Sequence, residues 1–218
     1  MGDYQAFFFD FDGVLADSVE VKTKAFARLF APFGPEVSAK VVDHHRRHSG
    51  VTRVEKFRHY YQEFLHQALS EAELAELCLR FARLVVDEVV AAPEIPGAET
   101  FLRLFVEKLP LFVVSAAPEA ELQEIVKFRG WSRYFREVTG APRSKRENLA
   151  ILLEKHDLAA GHCLFFGDAE ADYRAAQACG VRFIGIVPGP GAPLLQAEPQ
   201  IDWCRDFTEM VRLISGDR

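Results

Sequence analysis

Apolar positions along this chain follow two regimes, introduced by one short apolar run. Ala6, Phe7, Phe8 and Phe9 form that run, which stops abruptly at Asp10-Phe11-Asp12-Gly13. Four continuous apolar residues ending in charge predict a buried parallel strand whose carboxyl end opens on a crevice. From about residue 18 to 92 the pattern is almost wholly helical. Val21, Ala25, Leu29 and Phe30 recur at helical spacing behind a capping Asp17 or Ser18, and Phe33-Gly34-Pro35 ends that helix. Further helices are expected over 38–48, 52–67 and 70–91, the last opened by Ser70-Glu71-Ala72-Glu73. The stretch AAPEIPGA, residues 91–98, holds two prolines and a glycine and reads as a linker.

After the linker, helix and strand alternate. Helices over 98–108, 118–129, 146–156, 170–179 and 206–215 are interleaved with strands over 111–115, 135–139, 163–167 and 182–187. That alternation predicts an α/β protein with a doubly wound parallel sheet. The first strand belongs to this sheet, so the helical stretch is an insertion. Residues 1–16 and 93–218 are assigned to the α/β core and 17–92 to an all-helical domain. No internal repeat or low-complexity tract is visible.

Composition narrows the partners more than the fold. The net charge of −6 argues against a nucleic acid or an anionic membrane as the main partner. No apolar stretch approaches the ~18 residues of a membrane span, and a strand beginning within a few residues of Met1 leaves no room for a signal peptide. Cys78, Cys163, Cys179 and Cys204 are scattered, with no C-x-x-C pair, the usage of a reducing compartment. A cytoplasmic protein is expected. Nothing in the pattern fixes its oligomeric state.

The candidate chemistry sits at strand ends. Asp10 and Asp12, two residues apart, repel each other unless a cation or proton intervenes; taken alone, they also suit an N-cap and turn. Two other strands end in polar residues, LFVVS at Ser115 and CLFFGD at Asp168. Parallel strands present their carboxyl ends along one edge, so Asp10, Asp12, Ser115 and Asp168 are expected to converge. Asp172 follows Asp168 by about one helical turn, where it either joins the site or complements a helix dipole. Four acids crowding one crevice require a divalent cation, and oxygen-only ligands suit Mg²⁺. Lys145, in a Gly/Pro-containing loop before a helix, would offset the carboxylates and attract a phosphoryl group. Ser115 either caps the following helix or contributes to an anion site.

Taken in order, D-F-D-G-V (Asp10, Asp12), Ser115 after an apolar strand, Lys145 and G-D-A-E-A-D (Asp168, Asp172) resemble the haloacid dehalogenase-like hydrolases. The resemblance covers essentially the whole chain and is nearest the phosphoglycolate phosphatase and β-phosphoglucomutase branch. It implies a Rossmann-like core with a mobile helical cap. It also implies Asp10 as nucleophile, Asp12 as general acid and base, and Mg²⁺ held by Asp10, the Asp12 carbonyl and Asp168. Ser115, the Ala116 N–H and Lys145 would bind the phosphoryl group, with Asp172 orienting a metal water or Lys145. Dehalogenases that attack carbon need no acid at the position of Asp12, so Asp12 argues for phosphoryl transfer. Ala116 and Ala169 stand where polar residues are frequent in the family.

The cap is expected to choose the substrate. HHRRHSGVTRVEKFRHYY, residues 44–61, holds five Lys or Arg against one Glu, the composition of a solvated helical face. Its Gly50-Val51-Thr52-Arg53 resembles the branch's G-V-S-R loop, which marks Arg53, with Lys56 and His48, as candidates for a distal anionic group. Hydrolysis of a small phosphate monoester, a sugar phosphate or phosphoglycolate-like metabolite, is the main expectation. A phosphomutase is the alternative, weakened because Lys22 occupies the position of the branch's first-cap-helix histidine. A non-catalytic phosphometabolite-binding protein is the third reading, disfavoured because every motif residue is present.

Overall fold

The computed structural model describes residues 4–215. Its six-stranded sheet has the order β3-β2-β1-β4-β5-β6, with every adjacent pair parallel. The strands are β1 (Ala6–Phe9), β2 (Leu111–Pro118), β3 (Glu137–Ala141), β4 (Cys163–Gly167), β5 (Arg182–Ile186) and β6 (Trp203–Cys204). The run of apolar residues in β1 reflects its central place, buried on both faces. Phe7 and Phe9 point to one face, against Phe101 and Phe105 of α5 (Ala98–Phe105), with Phe9 also meeting Phe207 of α10 (Phe207–Ser215). Phe8 points to the other, stacked on Phe112 5.0 Å away within the cluster that Leu149 and Leu152 of α7 (Lys145–Lys155) and Ala175 and Ala176 of α8 (Glu170–Ala178) complete. Each buried phenylalanine contributes roughly 1.5–3 kcal/mol of transfer free energy.

Between β1 and β2 the chain builds a helical cap: α1 (Val19–Phe30), α2 (Pro35–Arg47), α3 (Arg53–His59) and α4 (Glu71–Ala91). Phe26, Phe30, Phe57, Tyr60 and Phe81 pack at its centre. Ser70 and Glu73 form the expected capping box, and Thr52 with Glu55 forms another. The helix expected over 52–67 is shorter than its apolar pattern suggests. After α3 the backbone widens into a π-turn, Tyr60–Phe64, which closes at Leu65.

The linker is tied to the loop after β1. Asp17 N donates to Pro93 O (2.9 Å) and Ile95 N to Leu15 O (3.0 Å), so entry to and exit from the cap lie side by side. The strand expected over 135–139 lies two residues later as β3, because Phe135 packs into the core beside Phe9 instead of joining the ladder. Helix α6 (Glu119–Phe128) and the last helix match their expected positions closely, whereas α9 (Pro193–Ala197) and the two-residue β6 were not expected. No helix among the described residues is long and apolar enough to cross a membrane.

Candidate active site

Asp10 stands at the end of the central strand, its N–H bonded to Phe166 O of β4 at 2.9 Å. That pairing aims the side chain at the crevice beyond the sheet edge. Its Oδ1 accepts from Phe11 N at 2.7 Å and its Oδ2 from Lys145 Nζ at 2.7 Å, and only 4% of the residue is exposed. Lys145, the first residue of α7, also donates to Asp172 Oδ1 at 2.5 Å. Burial alone would lower the Lys145 pKa, but the charges and hydrogen bonds of Asp10 and Asp172 outweigh it and hold the ammonium firmly protonated.

Asp12 has a different setting. Ser18 Oγ donates to its Oδ1 at 2.6 Å and Lys22 Nζ donates to Oδ2. Ser18 is the N-cap of α1 yet makes no side-chain cap bond to that helix, because its hydroxyl is turned to Asp12. Burial pushes the Asp12 carboxyl upward, while the Lys22 ammonium and the Ser18 hydroxyl pull it below the usual carboxylate range.

Asp168 follows β4, where its carboxyl faces Gly13. Gly13 has φ +81°, and a Cβ there would lie 2.5 Å from Asp168 Oδ2, so the turn after Asp12 requires glycine. One oxygen of each of Asp10, Asp168 and Asp172 lies within 4.8 Å of the others. Burial first, and then the charges of Asp10 and Asp172, raise the Asp168 carboxyl well above its ordinary value. Its Oδ1 is buried with no hydrogen-bond partner. An orphaned carboxylate oxygen beside two further carboxylates is the donor set of a hard divalent cation. Asp172, also raised by burial, accepts from Ala169 N at 3.1 Å and from Lys145.

Ser115, 1% exposed, accepts from Ala117 N at 3.2 Å through its Oγ, and Ala116 lies beside it in the cavity wall. The expected convergence is therefore present: Asp10, Asp12, Ser115, Ala116, Lys145 and Asp168 line one cavity of about 40 Å³ beneath the cap. Asp172 lies behind Lys145.

The cap candidates separate. Arg53 and Lys56 line the cavity, whereas His48 is exposed, stacked on His44 with ring centroids 4.2 Å apart, and does not line it. Arg53 is held bidentately by Glu121 of α6, at 2.9 and 2.5 Å, and lies over Phe81. Lys56 Nζ meets His45 Nδ1 at 2.8 Å and Ser49 O at 3.2 Å. His45 and Glu121 did not stand out in the sequence, Ser18 did so only as a candidate helix cap, and Lys22 only as a departure from a family pattern. The one signal available for Lys22 was its place four residues after Ser18, on the same face of α1.

A doubly wound sheet under a helical cap, with aspartates gathered at its carboxyl edge around a buried lysine, defines an α/β enzyme of hydrolase type. The chain belongs to the haloacid dehalogenase-like hydrolases, whose family model matches residues 4–180. A phosphoglycolate phosphatase of Photobacterium profundum is 31% identical over 124 residues, 53% of this chain and 54% of that protein. The chain thus spans about half the length of that relative. Phosphoglycolate phosphatase 1 of Pseudomonas aeruginosa is 28% identical over 211 residues, covering 91% of this chain and 76% of the relative. In fold, the chain is similar to a β-phosphoglucomutase of Clostridium difficile, with a TM-score of 0.79 and 18% identity over 98% of this chain and 96% of that one.

Proposed function

We propose that the protein is a Mg²⁺-dependent phosphatase of the cytoplasm that hydrolyses a small phosphate monoester through a phosphorylated Asp10. The observation that carries this reading is the unequal setting of the two carboxylates after β1. Asp10 is fixed by Lys145 and the Phe11 N–H, as a nucleophile must be, while Asp12 is held by a hydroxyl and an amine able to share a proton network. The relatives named phosphoglycolate phosphatase support the same reaction class.

In the first step Asp12 must be in its protonated form: a carboxylate oxygen of Asp10 attacks phosphorus as the bond to the leaving oxygen breaks, and Asp12 gives that oxygen its proton and is left ionised. In the second, Asp12 takes a proton from water, whose oxygen attacks the same phosphorus. The bond to Asp10 then breaks and inorganic phosphate is released. Ser115, the Ala116 N–H and Lys145 hold the phosphoryl oxygens, and Asp172 keeps Lys145 in place. Asp10, Asp168 and the Asp12 carbonyl would hold Mg²⁺, which supplies positive charge between the nucleophile and the phosphate dianion. The phosphomutase alternative has only a likeness of fold behind it.

Phosphate release from a panel of phosphorylated metabolites tests this reading. Wild-type turnover is expected to vanish with chelator and to fall by about 10³-fold or more in Asp10→Asn. Unchanged turnover in that variant would refute the covalent route. Turnover indifferent to chelator would refute the metal.

A further inference from the structure

The cap segment 44–61 carries four of the chain's seven histidines, and the proposed reaction uses none of them. His45 faces the cavity. His44 and His48 of α2 and His59 of α3 do not line it and gather instead in one stack. His44 lies in the middle, its ring centroid 4.2 Å from that of His48 and 4.3 Å from that of His59, with interplanar angles of 20° and 26°. The four-residue spacing of His44 and His48 puts both on one helix face. An aromatic floor supports the stack. Tyr60 meets His44 edge-on at 5.2 Å, and Phe64 lies 5.2 Å from His59. The π-turn after α3 builds that floor by stacking Phe64 on Tyr60, 5.4 Å apart.

Hydrogen bonds decide which ring nitrogens are open. His48 Nδ1 lies 3.0 Å from His44 O, and a carbonyl only accepts, so Nδ1 carries the hydrogen and Nε2 the lone pair. Tyr60 has one hydroxyl hydrogen, which it gives to Val41 O. His44 Nδ1, 3.3 Å from the same hydroxyl oxygen, is therefore a donor as well, and its Nε2 also keeps a lone pair. Neither Nε2, and no ring nitrogen of His59, has a hydrogen-bond partner among the described residues. An imidazole held through Nδ1–H with Nε2 open has the tautomer and the fixed orientation of a metal ligand.

A proton does not serve this cluster. It satisfies one nitrogen and leaves a cation inside the stack. Burial first, then His48, His59, Lys56 and Arg47, oppose that charge and bring the His44 pKa down to about 4. A metal ion bonds several nitrogens at once, and that shared coordination offsets the same repulsion. Mg²⁺ takes oxygen ligands, whereas neutral imidazoles suit Zn²⁺, Ni²⁺ or Cu²⁺.

We propose that His44, His48 and His59 form a cap site for a divalent transition-metal ion such as Zn²⁺, separate from the aspartate site at the sheet edge. The outer rings must tilt out of the stack to converge on one ion, and both stand on exposed or half-buried side chains. The ion would join α2 to α3 on either side of the loop in which Gly50 approaches Ala169 and Ala171 of the core.

Long-range ¹H–¹⁵N spectra of the histidine rings, recorded with Mg²⁺ in excess, read the site residue by residue. Without Zn²⁺, His44 and His48 are expected as Nδ1–H tautomers. Zn²⁺ is expected to shift the ring nitrogens of His44, His48 and His59 together, with one common midpoint. His48→Ala and His59→Ala should each weaken Zn²⁺ binding, followed at the His44 ring, by about tenfold or more. Far-UV circular dichroism reports that each variant folds. Rings left unshifted by Zn²⁺, three rings shifting at different midpoints, or either variant binding Zn²⁺ as wild type does, would overturn the site.

Discussion

Asp12 owes its properties to two residues on the helix that follows it, Ser18 and Lys22. In the second half-reaction Asp12 must be ionised to accept a proton from water. Lys22 favours that form by holding the carboxyl low against the pull of burial. Lys22→Met therefore raises the Asp12 pKa, and the pH at which activity begins to fall on acidification moves upward. A kcat–pH profile of variant and wild type shows the shift, and coincident acidic limbs would mean that Lys22 does not govern Asp12. At this scale the sequence was readable where a functional residue follows a strand or opens a helix, as Asp10, Asp168 and Lys145 do; Ser115 was found too, although β2 runs three residues past the strand end expected there. It was unreadable where function depends on pairing across helices. His45 meets Lys56 from α2, and Glu121 meets Arg53 from 68 residues away, contacts that no local pattern encodes.

Among the elements, α4 shows how the cap is fastened. Its carboxyl end has no glycine cap, so its last carbonyls need donors from elsewhere. Arg129, just beyond α6, supplies them: its Nη1 lies 2.9, 3.0 and 2.7 Å from the carbonyls of Val89, Val90 and Ala92. The guanidinium also lies 4.2 Å from the centre of the Trp131 ring. Arg129→Met keeps much of the apolar contact and removes the donors, so it should cost about 2–3 kcal/mol. Urea unfolding measures this as a lower midpoint at unchanged slope, and a loss below about 0.5 kcal/mol would show that water satisfies those carbonyls equally well. The linker's composition marked where α4 stops but not what holds it, since an arginine 37 residues later carries no helix-end signal. The misplaced strand near residue 135 has a similar origin. Phe135 looks like a strand residue in isolation, and only the sheet register assigns pairing to the polar Glu137 and Thr139 instead.

Across the whole molecule, the cap meets the core beside the cavity through Ser18 and Lys22 on Asp12, through the Arg53–Glu121 pair, and at Gly50, which approaches the loop after β4. A Cβ on Gly50 would lie 2.9 Å from the Cβ of Ala171 and 3.0 Å from that of Ala169, with Lys145 Nζ at 3.6 Å. Both neighbours are short side chains fixed to backbone, so neither can swing aside, and Gly50→Ala must lift the cap loop from the catalytic loop. A small displacement there admits water and shifts Lys56 and Arg53 relative to Asp10, and misplacement near 1 Å can cost about 10²-fold in rate. We expect kcat/KM to fall about 10- to 100-fold in Gly50→Ala, with the melting temperature within a few degrees of wild type because the sheet and the cap interior are untouched. Steady-state kinetics paired with a thermal melt separates the outcomes. Unaltered kinetics would show that catalysis does not need this seating of the cap, whereas a large fall in melting temperature would make Gly50 a stability residue.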